Sequence, residues 1–357
     1  MDTNLQSTSQ HSAPMVSVII TCFNYERFIR SSIESVLNQD YPNLELIVVD
    51  DCSSDSSRDI IMEYHPQLIP VFHDKNQGHG GAFNNGYAAA NGDIIMFLDA
   101  DDYLLPNALQ QAVEAFPVSS GMCQFRMHLV DDHGEQYDIF PKPELAFDHG
   151  ARAKRKLIHS GQYQSTVTSG LLFRRSLLEQ VMPMPQEKFR QGGDGYLVTL
   201  APLYTDISSS DYCMSAYRQH GENHSGFASQ MTKRAKWRLE HNQMRYDALK
   251  QASYSLGVKL EDKFWYNDSY HLIQMMCLSL FEPEHTPATS RANLAQQAIK
   301  NVNAQNLSVL NKAILTLWWL SISITPRPLA KSLYSWKVMA STRPKAVQKV
   351  FSILRRA

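Results

Sequence analysis

Asp93-Ile94-Ile95-Met96-Phe97-Leu98-Asp99-Ala100-Asp101-Asp102 is the stretch that decides the fold. Its five consecutive apolar residues, Ile94 to Leu98, read as a strand buried on both faces, the pattern of a parallel sheet covered by helices. The run closes in three carboxylates within four positions. Carboxylates at a buried edge repel one another and lose hydration, an ending that costs free energy unless something offsets it. A hard divalent cation at the strand's C-terminal end does so, and open α/β sheets bind their ligands at that end. Asp99 and Asp101 are two apart, so in extended chain both side chains leave one face and converge on one ion. The same residues also read as a solvated acidic turn after a strand.

Upstream, Val16-Ser17-Val18-Ile19-Ile20-Thr21 reads as a first strand and Asn24 to Asn38 as a helix with Phe28, Ile29, Ile33, Val36 and Leu37 on one side. A second buried strand follows at Leu44 to Asp50, then a helix for which Ser54 is the expected N-cap. A short strand at Ile69 to Phe72 leads into the glycine-rich Asn76-Gln77-Gly78-His79-Gly80-Gly81, with a helix expected over Ala82 to Ala90. Downstream, a helix is expected from Asn107 to Phe116, with Pro106 at its start. Strand and helix alternating over about 100 residues imply right-handed βαβ units and a mainly parallel sheet. Beyond Gly121 the rhythm changes. Met122 to Val130 reads as a strand, Asp131-Asp132-His133-Gly134 as a hairpin turn, and residues 141–165 as irregular with a basic patch at Arg152 to Lys156. Ser169 to Phe173 and Asp211 to Arg218 read as further strands, and Met231 to Phe281 as mainly helical.

The 43% apolar and 19% charged content is that of a globular chain. The net charge of −1 conceals a polarity: residues 1–284 carry 23 basic and 35 acidic side chains, whereas the last 73 residues hold 11 Lys and Arg and no Asp or Glu. Five scattered cysteines without a Cys-x-x-Cys pair support neither a zinc site nor a disulfide framework, so a reducing cytoplasm is the expected compartment. Met1 to Pro14 lacks the basic start and apolar stretch of a signal peptide and reads as a loose tail.

Each early strand ends on polar residues: Thr21 and Asn24, then Asp50 and Asp51, then Asp99 and Asp101. A carboxylate at that edge can accept the N–H of a nucleobase, and a cation held by carboxylates can bind a diphosphate. The first strand is not followed by Gly-x-Gly-x-x-Gly, and the chain contains no P-loop and no EF-hand spacing.

Together these motifs resemble the family 2 glycosyltransferases, the inverting enzymes of the GT-A fold. The resemblance runs through Val16-Ser-Val-Ile-Ile-Thr-Cys-Phe-Asn24, Val49-Asp-Asp-Cys-Ser-Ser-Asp55 and Asn76-x-Gly78, with Ala82-x-Asn84-x-Gly86 behind it. It continues through Leu98-Asp-Ala-Asp-Asp102 to Tyr217-Arg-Gln-His-Gly-Glu-Asn-His-Ser225, covering roughly residues 14–226. It implies an α/β GT-A domain, Rossmann-like with a mainly parallel mixed sheet flanked by helices, over residues 15–228. A helical C-terminal extension then occupies 229–357.

By the same resemblance Thr21, Asn24, Asp51, Asn76, Gly78, Asn84 and Asp99 belong to the nucleotide-sugar site, Asp51 accepting a base N–H. Asp101 touches Mg²⁺ or Mn²⁺, with Asp99 beside it and His220 as the late ligand. Asp194, in Gly193-Asp194-Gly195-Tyr196-Leu197, takes the position of the catalytic base. A UDP-sugar is the expected donor, although thymine and guanine offer the same N–H. Two departures stand out: Phe83 replaces the family's Arg before Asn84, and Gly193 replaces the acidic residue before the base. The Gln-x-x-Arg-Trp sequence of processive synthases is absent, which points to one sugar added per encounter.

Ala313 to Thr325 is apolar with paired tryptophans. Thirteen helical residues span about 20 Å, short of the roughly 30 Å hydrocarbon layer. Followed by a Lys/Arg-rich stretch, the segment over about 305–357 is expected to lie at the cytoplasmic face of the inner membrane, or else to pack as a helical subdomain. Nucleic acid is not expected as a partner, because the rest of the chain is acidic. The function expected is transfer of one sugar from a nucleotide-sugar to a lipid-linked glycan in surface polysaccharide assembly. The rivals are a degenerate nucleotide-sugar-binding scaffold and a sugar nucleotidyltransferase, which would want a glycine-rich, Arg-containing loop where Thr21-Cys-Phe-Asn-Tyr25 stands.

Overall fold

A computed structural model describes residues 13–220, 231–285, 289–305, 307–339, 342–345 and 348. The chain divides into two compact units, one comprising residues up to Lys154 with Gln164–Gln219, the other Arg155–Tyr163 with the chain from His220 onward.

In the first unit the chain runs β1 (Val16–Cys22), α1 (Ile29–Leu37), β2 (Leu44–Asp50), α2 (Ser57–Glu63), β3 (Ile69–Phe72), α3 (Gly78–Ala89) and β4 (Ile94–Asp99). It continues through β5 (Tyr103–Leu104), α4 (Ala108–Glu114), β6 (Ser120–Val130), β7 (Gln136–Phe140) and α5 (Gly150–Ser160), a helix shared between the units. Then come β8 (Leu171–Arg174), α6 (Arg175–Val181), α7 (Gly193–Tyr204) and β9 (Asp206–Arg218). Among the described residues nine strands form one sheet in the order β3-β2-β1-β4-β8-β6-β9-β5, with β7 on β6. β3, β2, β1 and β4 are parallel, β8 runs antiparallel to both β4 and β6, and β9 is parallel to β6.

β4 is the buried strand its sequence implies, with Ile94 to Leu98 fully covered. One face of the parallel strands packs Val16, Val18, Ile20, Val48, Met96 and Leu98 into a core with Ile29, Ile33 and Val36 of α1. β1 lies between β2 and β4, so the chain reverses its direction of travel across the sheet there. Ligands of open α/β sheets bind at the carboxyl ends flanking such a switch point. The register sets Thr21 beside Asp99 and Cys22 beside Asp50 at that rim.

Local expectations fail where side chains find non-helical partners. The first helix starts at Ile29 rather than Asn24, because Asn24 is left-handed (φ 59°) and its Oδ1 accepts from Ser54 N at 2.7 Å. Ser54 is thereby drawn away from α2, and the N–H of Ser57 at the start of that helix is taken by Asp55 Oδ1. α3 begins at Gly78, four residues earlier than its composition suggests. The glycines are there for close approach: a Cβ on Gly80 would sit 2.7 Å from Phe189 O, and one on Gly86 2.3 Å from Ile19 Cγ2. The stretch expected to be irregular contains α5, which carries the basic patch. The hairpin turn is present, joining β6 to β7.

The second unit is helical among its described residues: α8 (Met231–Ser255), α9 (Ser269–Phe281), α10 (Arg291–Ala304), α11 (Val309–Ile324) and α12 (Arg327–Val338). Leu272, Met276, Leu280, Leu294, Ala298, Trp319, Ile322 and Tyr334 make its core. The apolar segment therefore packs as a subdomain helix through Trp319 and Ile322, yet leaves Leu310, Leu317, Leu320 and Ile324 exposed on another stripe. Among the described residues no helix is long and apolar enough to cross a membrane.

Candidate active site

The rim at the β1/β4 switch point is built from strand ends and the loops that follow them. Asp99 is the last residue of β4, and Asp101 and Asp102 follow in the turn before β5. Each of the three offers a carboxylate oxygen within 4.8 Å of the other two. Asp101 and Asp102 are buried, at 6% and 1% exposure. Arg218 of β9 fixes the turn: its backbone N–H donates to Asp102 Oδ1 at 2.9 Å and its Nε to the carbonyl of Asp101 at 3.0 Å. Asp102 Oδ2 is buried and makes no well-formed hydrogen bond, although the Ser169 hydroxyl is near enough to favour the charged form.

Burial, then the charges of Asp101 and Asp99, push the Asp102 carboxyl well above the carboxylate range. Asp99 is raised too, by burial and by Asp101 and Asp194, with His79 opposing. Tyr25, in the loop after β1, hydrogen-bonds Asp101, and burial followed by the three aspartates raises its phenol. Hard oxygen donors crowded together with an orphaned lone pair fit a Mg²⁺ or Mn²⁺ ion.

Asp51 sits one residue past β2 and is 4% exposed. Its Oδ1 accepts from Gln77 N at 2.7 Å and lies 2.7 Å from His73 Nδ1, while Oδ2 accepts from Gly78 N at 2.8 Å. Three of its lone-pair sites are thus engaged by the start of α3 and by His73. Asn76 donates to Asp51 O at 3.2 Å and accepts from Arg190 at 2.7 Å. Asn84 pairs twice with the backbone of Met184, donating to its carbonyl and accepting from its N–H, both at 2.9 Å. That pairing anchors the loop before α7 and uses the amide the resemblance gives to the nucleotide.

Gly78 is left-handed (φ 77°), and a Cβ there would lie 2.7 Å from Arg190 Cα, so this position holds α3 against the same loop. Thr21 is buried beside Asp99, and its carbonyl accepts from Ala100 N at 3.2 Å.

Asp194 lies in the first turn of α7, partly exposed, where a carboxylate suits the helix dipole. Its charge acts on both His79 and Asp99, so base candidate and aspartate cluster share one electrostatic neighbourhood. His220 is partly exposed, two residues past β9, and its chain segment belongs to the helical unit. Residues 221–225 of the last motif, with His224, lie outside the described residues.

Sequence reasoning missed His79, Asp102 and Tyr25 as members of this rim. Asp102 carried a signal, the third carboxylate of the cluster. His79, in the first turn of α3, and Tyr25, in the loop after β1, carried none, because only the tertiary fold brings them to the carboxylates.

A switch-point rim with clustered aspartates, on a sheet of this order, fits a glycosyltransferase of the GT-A class. Residues 17–182 match the family model Glycosyl transferase family 2. The chain is 35% identical over 225 residues to an uncharacterized glycosyltransferase of Nostoc sp., covering 61% of this chain and 68% of that protein. It is 34% identical over 176 residues to the GalNAc(5)-diNAcBac-PP-undecaprenol beta-1,3-glucosyltransferase of Campylobacter jejuni, covering 46% of this chain and 53% of that one. Among solved structures, S. aureus TarS 1–349 in complex with UDP-GlcNAc shares the fold at 19% identity, with a TM-score of 0.53 over 95% of this chain and 91% of that one. The chain belongs to glycosyl transferase family 2 and is a glycosyltransferase.

Proposed function

We propose that the enzyme transfers a single sugar, with inversion, from a UDP-sugar to a glycan carried on a polyprenyl diphosphate, in surface polysaccharide assembly. One observation carries the reading: three aspartates offer oxygens within 4.8 Å of one another at the switch point, within the electrostatic reach of Asp194. The Campylobacter relative, named for a diphospho-undecaprenol acceptor, supports the acceptor class, and the UDP-GlcNAc complex of the TarS fold relative is consistent with the donor class.

In this reading the base and ribose lie over Thr21, Asn24, Asp51, Asn76 and Gly78, and Asp99 orients the ribose or the sugar. Asp101, with Asp99 and Asp102, would hold Mg²⁺ or Mn²⁺, which would supply positive charge against the diphosphate as it leaves. Asp194 takes the proton of the acceptor hydroxyl. The oxygen then bonds to the anomeric carbon from the face opposite the diphosphate, the carbon–oxygen bond to that diphosphate breaks, and the configuration inverts.

The acceptor's lipid anchor suits an enzyme held at the cytoplasmic face of the membrane. The exposed Leu310, Leu317, Leu320 and Ile324 stripe supports that placement, together with the excess of Lys and Arg after Glu284. With Mn²⁺, a panel of nucleotide-sugars and an undecaprenyl-diphosphate-linked sugar, one donor is expected to give a single-sugar product of inverted configuration. Binding of a donor with no turnover would favour the degenerate scaffold. Replacing Leu317 and Leu320 together by Glu is expected to reduce sedimentation with phosphatidylglycerol vesicles several-fold; unchanged sedimentation would remove the membrane role of α11.

A further inference from the structure

We infer that His79 is a positioning residue that ties the donor-side aspartates to the helix bearing the base, an inference resting on the assignment of Asp194 above. Its imidazole touches both halves of the reaction. Nδ1 accepts the N–H of Gly193, the first residue of α7, at 3.2 Å. The first N–H groups of a helix have no partner within it, so this contact holds the start of α7, one residue from Asp194. With Nδ1 accepting, the ring proton resides on Nε2, the usual way in which one ring nitrogen's bond sets the other's state. Nε2 lies 3.3 Å from Asp99 Oδ1 and has no linear hydrogen bond of its own.

The ring has little freedom to leave this position. It meets Phe83 edge-on at 4.3 Å, and Phe83 stacks at 3.9 Å and 3° on Phe97, two residues before Asp99 on β4. Its backbone is fixed as well, since His79 N donates to Arg190 O at 2.8 Å and Gly80 N to Phe189 O at 2.9 Å. The family's Arg before Asn84 is here Phe83, so an apolar ring supports the imidazole. A merely structural histidine would lower stability when replaced. One that sets a distance between two reacting groups changes binding and turnover separately.

Two replacements divide the contacts. In His79→Asn the amide oxygen takes the place of Nδ1, keeping the acceptor for Gly193 and losing the donor toward Asp99. In His79→Gln the amide nitrogen reaches the place of Nε2, keeping the donor and losing the acceptor. Mn²⁺ alone is titrated by electron paramagnetic resonance, and transfer is measured with the donor the wild-type chain uses. His79→Asn is expected to raise the Mn²⁺ Kd and the donor KM about ten-fold, with a smaller change in kcat. His79→Gln is expected to lower kcat about ten- to one-hundred-fold, with the Mn²⁺ Kd within about two-fold of wild type. Two variants behaving alike, or both matching wild type, would overturn the inference. A variant that fails to fold passes the decision to the other, and failure of both makes His79 an architectural residue only. A wild-type chain that neither binds Mn²⁺ nor transfers sugar breaks the assignment of the site itself, whereas an active wild type with unmoved variants breaks this inference alone.

Discussion

Buried carboxylates in the two units meet opposite fates. In the helical unit Asp268 is 6% exposed and is answered on both oxygens. Oδ1 accepts from Tyr270 N at 2.9 Å, capping α9, and Oδ2 accepts from Gln162 at 2.6 Å and from Tyr246 at 3.4 Å. In the sheet unit Asp102 is more deeply buried, has two carboxylates for neighbours and keeps one oxygen without a well-formed hydrogen bond. Burial raises both groups, Asp268 to about 6 and Asp102 well above its ordinary value. The difference lies in the donors. A buried charge surrounded by donors is part of the architecture, while one surrounded by other charges stores repulsion that a ligand relieves.

The largest expected effect tests the sheet unit. Asp194→Asn keeps the shape of the side chain and removes the base, so transfer should fall by about 10²–10⁴-fold. Its circular dichroism and melting should match wild type, since Asp194 is partly exposed at a helix start where Asn is also accepted. Transfer within a few-fold of wild type would move the base elsewhere.

The next tests the helical unit through pH. An aspartate titrating at about 6 in the folded chain keeps a proton that the unfolded chain has lost above pH 4, so its contribution to stability falls as pH rises toward 6. His271, lowered to about 4 by burial, does the reverse: the unfolded chain binds the extra proton, and stability rises with pH from about 4 to 6.5. In the wild type the two slopes oppose each other. Asp268→Asn removes the first, and the stability of the helical unit should then climb with pH across that window by up to about 1.4 kcal/mol per unit. Melts from pH 4.5 to 7.5 in which wild type and variant run parallel would show that Asp268 does not titrate as described.

The smallest effect joins the two regions. Asp102→Asn keeps an acceptor for Arg218 N and puts a permanently neutral amide where ionising the carboxyl is opposed by burial and by Asp101 and Asp99. The sheet unit should gain about 1–2 kcal/mol, a few degrees in Tm, while transfer drops. The corresponding change at Asp268 brings no such exchange of activity for stability. A destabilised Asp102→Asn chain would place Asp102 with the architectural carboxylates.

Much of the sheet was legible because its strands are bounded locally. Val16 to Thr21, Leu44 to Asp50 and Ile94 to Asp99 are mostly apolar runs that read as covered strands, and each ends in a polar residue at the rim. The errors fell where side chains bond across loops: Asn24 taking Ser54, and glycines carrying α3 back to Gly78 for the sake of Phe189 and Arg190. Asn84 illustrates the same limit, because its motif is visible in sequence while its bonding to Met184, 100 residues away, is not.

The sequence by itself determined the strand order's raw material, the acidic rim and the charge polarity between the two parts of the chain, because apolar period and strand-end chemistry are properties of neighbouring residues. Only the tertiary structure decided which of those groups share a contact. Asp102, the third carboxylate of the cluster, is held in the buried turn by the N–H of Arg218. His79 came to lie between Asp99 and Gly193, 114 residues further on, because packing, which no local pattern encodes, closes that gap.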